Sequence, residues 1–425
     1  MNFVNTERRG GRMGGGERPS VPVRLLLAGA ALLVALSSST SAAQPSQLTV
    51  LGPAQNARML VLPNGSLLVA EPGPGPNRGA LSLLDSRGDR QTFLGGLPSG
   101  LSSVPSSDGT TLLLPDGPDG LALSGNTLYV AIGEGDGFRP RADRPGAVAP
   151  NPAGVSSPIL ASVLKIDFSS SGVFDGGVPF FLEATSHESL LDGATVGLLG
   201  GEPSASASVL AAFRPSIPDA SRVYRPSHPN GIAVLEDVAA PESPGERFLV
   251  LVGRSQRSLF VADSGTNRLI RVDLASGRSS TLVRFPDPTE NLTGPPTGGT
   301  LQSVCAFNFG RLLVAISGAS PGAGSVQAVN AATGATQTLI PNLNSAVDAV
   351  ARETDRGIQL FVLENSAANG QPGTGRVLVV DVDAPLGREV ATGLNDPVSL
   401  AIDETNGRLL ISSRGDGLIL FVPLP

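Results

Sequence analysis

The chain has 425 residues, 40% of them hydrophobic, with 53 Gly and 36 Pro. That composition supports a buried core cut by many turns and excludes a disordered chain. A net charge of −7 argues against nucleic acid and anionic membranes as partners; one Cys and two His exclude a disulfide framework, a cysteine-rich zinc site and a multi-histidine metal site.

The N-terminal segment carries five Arg (8, 9, 12, 18 and 24) before the apolar run from Leu25 to Leu36. A run of about a dozen apolar residues suits the core of a signal peptide and is short for a membrane span. Residues 37–43 are all small, and Ser41 and Ala43 fit the small-x-small cleavage pattern. The expected organisation is a signal peptide over 1–43 and one domain over 44–425, secreted or periplasmic, with no membrane contact once the signal is removed.

From there one pattern recurs. An apolar strand leads into a tight turn, and a second strand reads apolar-apolar-Val-Ala-acid. A glycine or polar loop follows, then a third and a fourth strand. Blade one has Met59–Leu62, the turn Pro63-Asn64-Gly65, and Leu67–Glu71. Asn-Gly between apolar runs signals a hairpin, because a type I′ turn needs positive φ at both positions. Blade two has Gly117–Leu123 and Leu128–Gly133. The fullest copy, blade three, has Pro229–Val234, Leu259–Asn267, Arg268–Gly277 and Ser280–Phe285. Blade four has Val304–Phe307 and Leu312–Ser317. Blade five has Leu360–Glu364 and Arg376–Asp381. Blade six has Leu400–Asp403 and Leu409–Ser413. A spacing near 50 residues is that of a four-stranded propeller blade. The predicted fold is therefore all-β, a six-bladed β-propeller. The last blade runs out of chain after Leu418–Val422, while Gln47–Leu51 has no partner near blade one. The first strand is expected to supply the missing outer strand and close the ring, since an unpaired edge invites aggregation.

The segments Gly117-Pro-Asp-Gly-Leu-Ala, Leu128–Gly133, Val163–Asp167 and Asn230-Gly-Ile through Arg271-Val-Asp273 resemble the ScyD/ScyE family, NHL-repeat propellers named for scytonemin biosynthesis. The resemblance spans residues 47–425 and includes a polar insertion, expected to be helical, at Phe181–Asp192. It implies an exported propeller. Gluconolactonase-type, strictosidine-synthase-like, streptogramin-lyase-like and TolB-like propellers are more distant resemblances.

In such a blade the loops joining second to third strands and the linkers between blades share one face, and the first hairpin tips lie on the other. Segments 95–116, 134–160, 182–228, 286–300 and 364–375 are assigned to the first face, and only 236–257 to the second. Loops on a rigid scaffold carry function, so the first face is the expected binding face. Inner strands begin there with Arg58, Asp119, Asn230, Gln302 and Asp348; second strands end there with Glu71, Asp263, Glu364 and Arg414. This ring suits a cation or a polyhydroxylated ligand, with Asn230, Asp263 and Asp348 as the expected metal set and Ca2+ the expected ion; no cofactor is otherwise implied. The same groups also serve to cap strands around a water-filled channel.

The gluconolactonase pattern needs an acid at the start of blade one, an Asn in Pro-Asn-Gly and an Asp in a later blade. Asn230 matches; Asn56-Ala-Arg58 and Gln302 do not. A lyase would need a placed base, for which His228 is the candidate. Gly133–Gly137 leads into Phe138-Arg-Pro140 instead of a helix, so it reads as no phosphate loop. Asn291-Leu-Thr is a glycosylation sequon, and Cys305 sits in an apolar strand as core. The expected function is ligand or partner binding by a monomer, the partner being a small molecule or another exported protein. The competing expectation is a metal-dependent hydrolase or lyase.

Overall fold

The computed structural model describes residues 42, 44–51, 57–105, 111–140, 148–201, 204–213, 227–236, 257–286, 299–308, 310–318, 320–366, 372–382 and 384–425. Apart from Ala42, the expected signal segment lies outside these residues, as do the sequon at Asn291 and most of segment 236–257. Among the described residues no helix is long and apolar enough to cross a membrane.

Among the described residues six blade sheets form a six-bladed β-propeller, each built on four antiparallel strands from inner to outer edge; the sheets of blades one and two carry a short fifth strand outside these, and the last blade takes its outer strand from the start of the chain. The inner strands are Arg58–Val61, Pro118–Ser124, Pro229–Glu236, Gly299–Phe307, Ala346–Thr354 and Pro397–Asp403, each packed against the next and the last against the first. Second strands such as Leu67–Glu71 are buried along their whole length. A strand covered on both faces must be apolar at every position, which is why these read as unbroken Leu-Leu-Val-Ala and Leu-Phe-Val-Ala runs. Outer strands such as Ser279–Arg284 have one edge in water and are polar and exposed at the start.

The ring closes as the sequence predicts. Ser46–Val50 pairs antiparallel with Leu418–Pro423, Gln47 opposite Leu420, and the Leu51 amide donates to the Gly417 carbonyl at 2.8 Å. Leu51, Met59, Val69, Leu84, Leu410 and Ile419 pack the seam between first and last blades. The first hairpin also forms, but Asn64 does not join Gly65 in positive φ. Only Gly65 does so, at +80°, while the Asn64 side chain accepts from the Ser66 amide. The turn is thus longer than the expected two-residue type I′.

Two expectations about the loops change. Ala205–Ala212 is the fourth strand of blade two, so residues 169–204 join its third and fourth strands and leave from the hairpin-tip side, not the loop-rich side. Within that insertion Phe180–Phe181 pairs in parallel with blade one at Leu94 and Gly95, and a short helix spans His187–Leu191. The insertion ties blades one and two through the ring cluster of Phe93, Phe168, Phe174 and Phe180, in which Phe93 stacks on Phe174 and meets Phe180 edge to face.

Secondly, the inner strands of blades two to six slip register near their starts. Asp119, Asn230 and Gln302 fall in the bulge, whereas Arg58 and Asp348 pair with Ala70 and Leu363, one step further on. The five residues are therefore not equivalent, because one residue along a strand changes the direction of the side chain.

Candidate functional site

The starts of the inner strands gather around the axis. Arg58 leaves blade one and crosses to three other blades. Its Nε lies 3.3 Å from Asp119 Oδ1 in blade two, its Nη1 lies 3.4 Å from Asp348 Oδ2 in blade five, and its Nη2 donates to the Gln302 carbonyl in blade four at 2.9 Å. Gln302 thus acts through its backbone. Asp348 accepts from the amides of Ala349 at 2.9 Å and of Leu400, in blade six, at 2.8 Å. Arg58 and Asp348 plug the axis and join the ring electrostatically.

The ends of the second strands are each committed locally. Glu71 pairs with Arg90. Glu364 accepts from the Asn344 amide and from Arg376 Nε, both at 2.6 Å. Arg414 holds both oxygens of Asp396, at 2.6 and 3.0 Å. Asp263 is fully buried and accepts from Ser227, the His228 amide, Thr266 and Arg268. The expected metal set of Asn230, Asp263 and Asp348 does not share one point of convergence: Asp263 and Asp348 spend their oxygens on different protein donors. Asn230 lines the axial cavity with its Oδ1 buried and without a hydrogen-bond partner among the described residues.

Asp263 instead positions His228. By fixing the Ser227 hydroxyl and the His228 amide, each at 2.8 Å, it sets the entry to blade three. The His228 ring then lies between two carboxylates, with Nδ1 3.6 Å from Asp116 Oδ2 and Nε2 4.0 Å from Asp119 Oδ2. These are charge-pair distances rather than hydrogen bonds. Asp116, Glu134 and His228 each bring a ligand atom within 4.8 Å of the others. Neither oxygen of Asp119, 2% exposed, accepts a hydrogen bond among the described residues.

Local sequence explains the convergence. Asp116 ends a linker hairpin, Gly100–Pro105 with Thr111–Asp116, just before blade two begins. Glu134 follows the second strand of the same blade. Gly133 lets the two meet, since a Cβ there would stand 2.1 Å from Asp116 Oδ1, and the Gly135 amide donates to Asp116 Oδ2 at 2.7 Å. Ser102 donates to Glu134 at 3.0 Å. A second hairpin, Phe138–Pro140 with Val148–Pro150, reaches the first through Arg139, which donates to the Leu101 carbonyl at 2.8 Å. The two hairpins wall the cluster on the loop-rich face.

The electrostatics follow from burial. Desolvation raises Asp116 above the ordinary carboxylate range, pushes Asp119 up to about 6 against the opposing pull of Arg58, and pushes Glu134 up to about 7. Burial by itself would lower His228; Asp116, Glu134, Asp119 and Asp263 outweigh it and raise the imidazole to about 9. At neutral pH the His228 imidazolium is the cation between these carboxylates, with Arg58 beside Asp119. Of the residues expected from the sequence, the structure brings His228 and Asp119 into the cluster. Asp116 and Glu134 were not among them. The signal for both was an acid flanked by glycine at the two ends of blade two that meet on the loop-rich face, in Asp116-Gly-Pro-Asp-Gly and Gly133-Glu-Gly-Asp-Gly.

No family model and no curated protein matches this chain. Among solved structures it is similar to a nidogen/laminin complex chain at 11% identity, covering 82% of this chain and 88% of that one, with a TM-score of 0.42. An auxiliary nutrient binding protein from Bacteroides ovatus matches at 9% identity over 92% of this chain and 74% of that one, TM-score 0.42. TolB from Acinetobacter baumannii matches at 9% over 84% and 63%, TM-score 0.37.

Proposed function

We propose that this is an exported ligand-binding propeller of the ScyD/ScyE type that holds its ligand through a divalent cation on the loop-rich face. The carrying observation is the convergence of Asp116, Glu134 and His228 within 4.8 Å, with the carboxylate of Asp119, ion-paired to Arg58 but accepting no hydrogen bond among the described residues, beside them. Two carboxylates and one imidazole form a mixed oxygen–nitrogen set. Calcium takes oxygen ligands almost alone, whereas manganese accepts imidazole readily, so the donor set favours Mn2+ over the Ca2+ expected from the sequence. Metal entry would displace the imidazolium proton and hold the raised carboxylates in their ionised form. The remaining coordination positions are left for a small molecule or for an oxygen of another exported protein. Export is supported by the apolar run Leu25–Leu36 and the small residues after it.

Calorimetric titration of residues 44–425 with MnCl2 and CaCl2 tests this reading. Saturable Mn2+ binding, tighter than Ca2+ and lost in Glu134→Gln, supports it. No heat with either ion refutes it.

One observation favours a second reading, a lyase or hydrolase. Glu134, at about 7, is poised for proton transfer near neutral pH beside His228. Turnover of a cyclic ester or lactone that persists in chelator would favour it over the binding reading.

A further inference from the structure

The six inner strands enclose a cavity of about 370 Å3 along the axis. Its wall is apolar. Leu60, Val61, Leu123, Val234, Val350 and Ile402 line it, and all six are partly exposed although they stand at the centre of the protein. Val61, Leu123, Val234 and Ile402 come late in their strands, near the first hairpin tips. The apolar end therefore faces the hairpin-tip side, opposite the carboxylate cluster. The other end lies under Arg58, whose contacts with blades two, four and five cross the axis.

Under that plug two polar side chains line the same cavity. Asn230 Oδ1 and Ser303 Oγ are buried, their residues 5% and 3% exposed, and neither has a hydrogen-bond partner among the described residues. Buried polar atoms in folded proteins nearly always have partners, so two unmatched ones that line one end of the same largely apolar cavity offer a polar contact to a ligand. Water would satisfy the two atoms but leaves the apolar wall wet, and a cavity of this size has room for roughly a dozen waters. A small molecule with an apolar tail satisfies both ends. Small-molecule pockets have this make-up, mostly apolar with a few placed polar groups, in volumes of about 300 Å3 upward.

The geometry points to a second binding site: the axial cavity takes a small neutral amphiphile from the hairpin-tip face. Its aliphatic tail lies along the wall, and its head, a primary amide or alcohol, donates to Asn230 Oδ1 and hydrogen-bonds with Ser303 Oγ. A neutral head fits because Arg58 is already matched by Asp119 and Asp348. A carboxylate there would face those two acids, and the two groups that the head meets, an amide oxygen and a hydroxyl, are themselves neutral. This site shares no side chain with the Asp116–Glu134–His228 cluster and stands whether or not that cluster binds metal.

Met59 supplies the test. It lines the cavity, and the chain has only three methionines, Met1, Met13 and Met59. In full-length protein labelled with 13C at the methionine methyls, titration with hexanamide is expected to shift the Met59 resonance saturably and leave the other two in place. Asn230→Leu should weaken hexanamide about tenfold, the effect of losing one buried hydrogen bond. Ser303→Ala, a smaller change, should weaken it several-fold and serves if the first variant does not fold. A Met59 resonance that stays fixed up to the solubility limit overturns the proposal. So does a shift of equal affinity in folded variants, or an equal response to hexane, because either removes the head-group recognition.

Discussion

Arg58 Nη1 lies 3.4 Å from Asp348 Oδ2, and the two residues belong to blades one and five. The same oxygen accepts from the Leu400 amide of blade six at 2.8 Å. Arg58 also reaches Asp119 in blade two and the Gln302 carbonyl in blade four. One buried guanidinium thus touches the ring at points that the chain separates by up to 290 positions. Apolar packing joins each blade to its neighbours, while this contact joins blades across the axis.

Replacing Arg58 by Met should leave the buried Asp348 without a counter-charge and Asp119 with only the His228 imidazolium at 4.0 Å. The expected loss is about 3–5 kcal/mol in urea unfolding, the usual cost of breaking a buried pair from one side. Arg58→Met combined with Asp348→Asn should recover part of it, because one orphaned charge is then removed. Equal stability of wild type and the single variant would show that the plug is not a structural tie.

Deleting residues 44–51 removes the outer strand of the last blade and Leu51 from the seam. The unpaired edge of Leu418–Pro423 becomes a template for other chains. A lower thermal midpoint and concentration-dependent aggregation are expected by scanning calorimetry and light scattering. Unchanged behaviour would make the strand a linker.

The cluster predicts a pH dependence of stability in the absence of divalent ions. Asp119 at about 6, Glu134 at about 7 and His228 at about 9 all sit above their ordinary values of 3.8, 4.5 and 6.5. For each group the unfolded chain releases its proton first as pH rises, so the folded state binds more protons across the interval and stability falls. The contribution is full below each ordinary value and gone above each raised one. The thermal midpoint in chelator should therefore fall between pH 6.5 and 9, and His228→Gln should flatten that part of the curve. A midpoint that rises over the same window would contradict the assigned environment of His228.

Asp263 and Glu134 should behave differently. Asp263→Ala strips the acceptor from Ser227, the His228 amide, Thr266 and Arg268, and should cost about 3 kcal/mol or more. Glu134→Gln keeps the Ser102 hydrogen bond and should cost little stability while removing Mn2+ binding. Parallel unfolding and metal titrations of the two variants check this. Loss of metal binding without loss of stability in Asp263→Ala would return Asp263 to the metal set.

The fold was legible because a strand buried on both faces must be continuously apolar, so Leu67–Ala70, Leu259–Ala262 and Leu360–Leu363 announce the repeat. The closing role of Gln47–Leu51 followed from counting strands. The candidate site was only half legible. Asp263 looks like a ligand from its place at a strand end, but donors from four residues consume it. Arg58 and Asp348 look equivalent to Asn230 until the bulge shifts them by one residue, and bulges leave no sure mark in composition. Asp116 and Glu134 lie outside the repeat, in segments whose path the repeat does not fix. Only the approach allowed by Gly133 brings them together.

The most direct measurement is anomalous diffraction from crystals of residues 44–425 soaked in MnCl2. The predicted result is one peak within coordination distance of Asp116, Glu134 and His228, absent in Glu134→Gln crystals. A peak at Asn230 and Asp348 instead, or no peak at the loop-rich face at saturating Mn2+, would contradict the account.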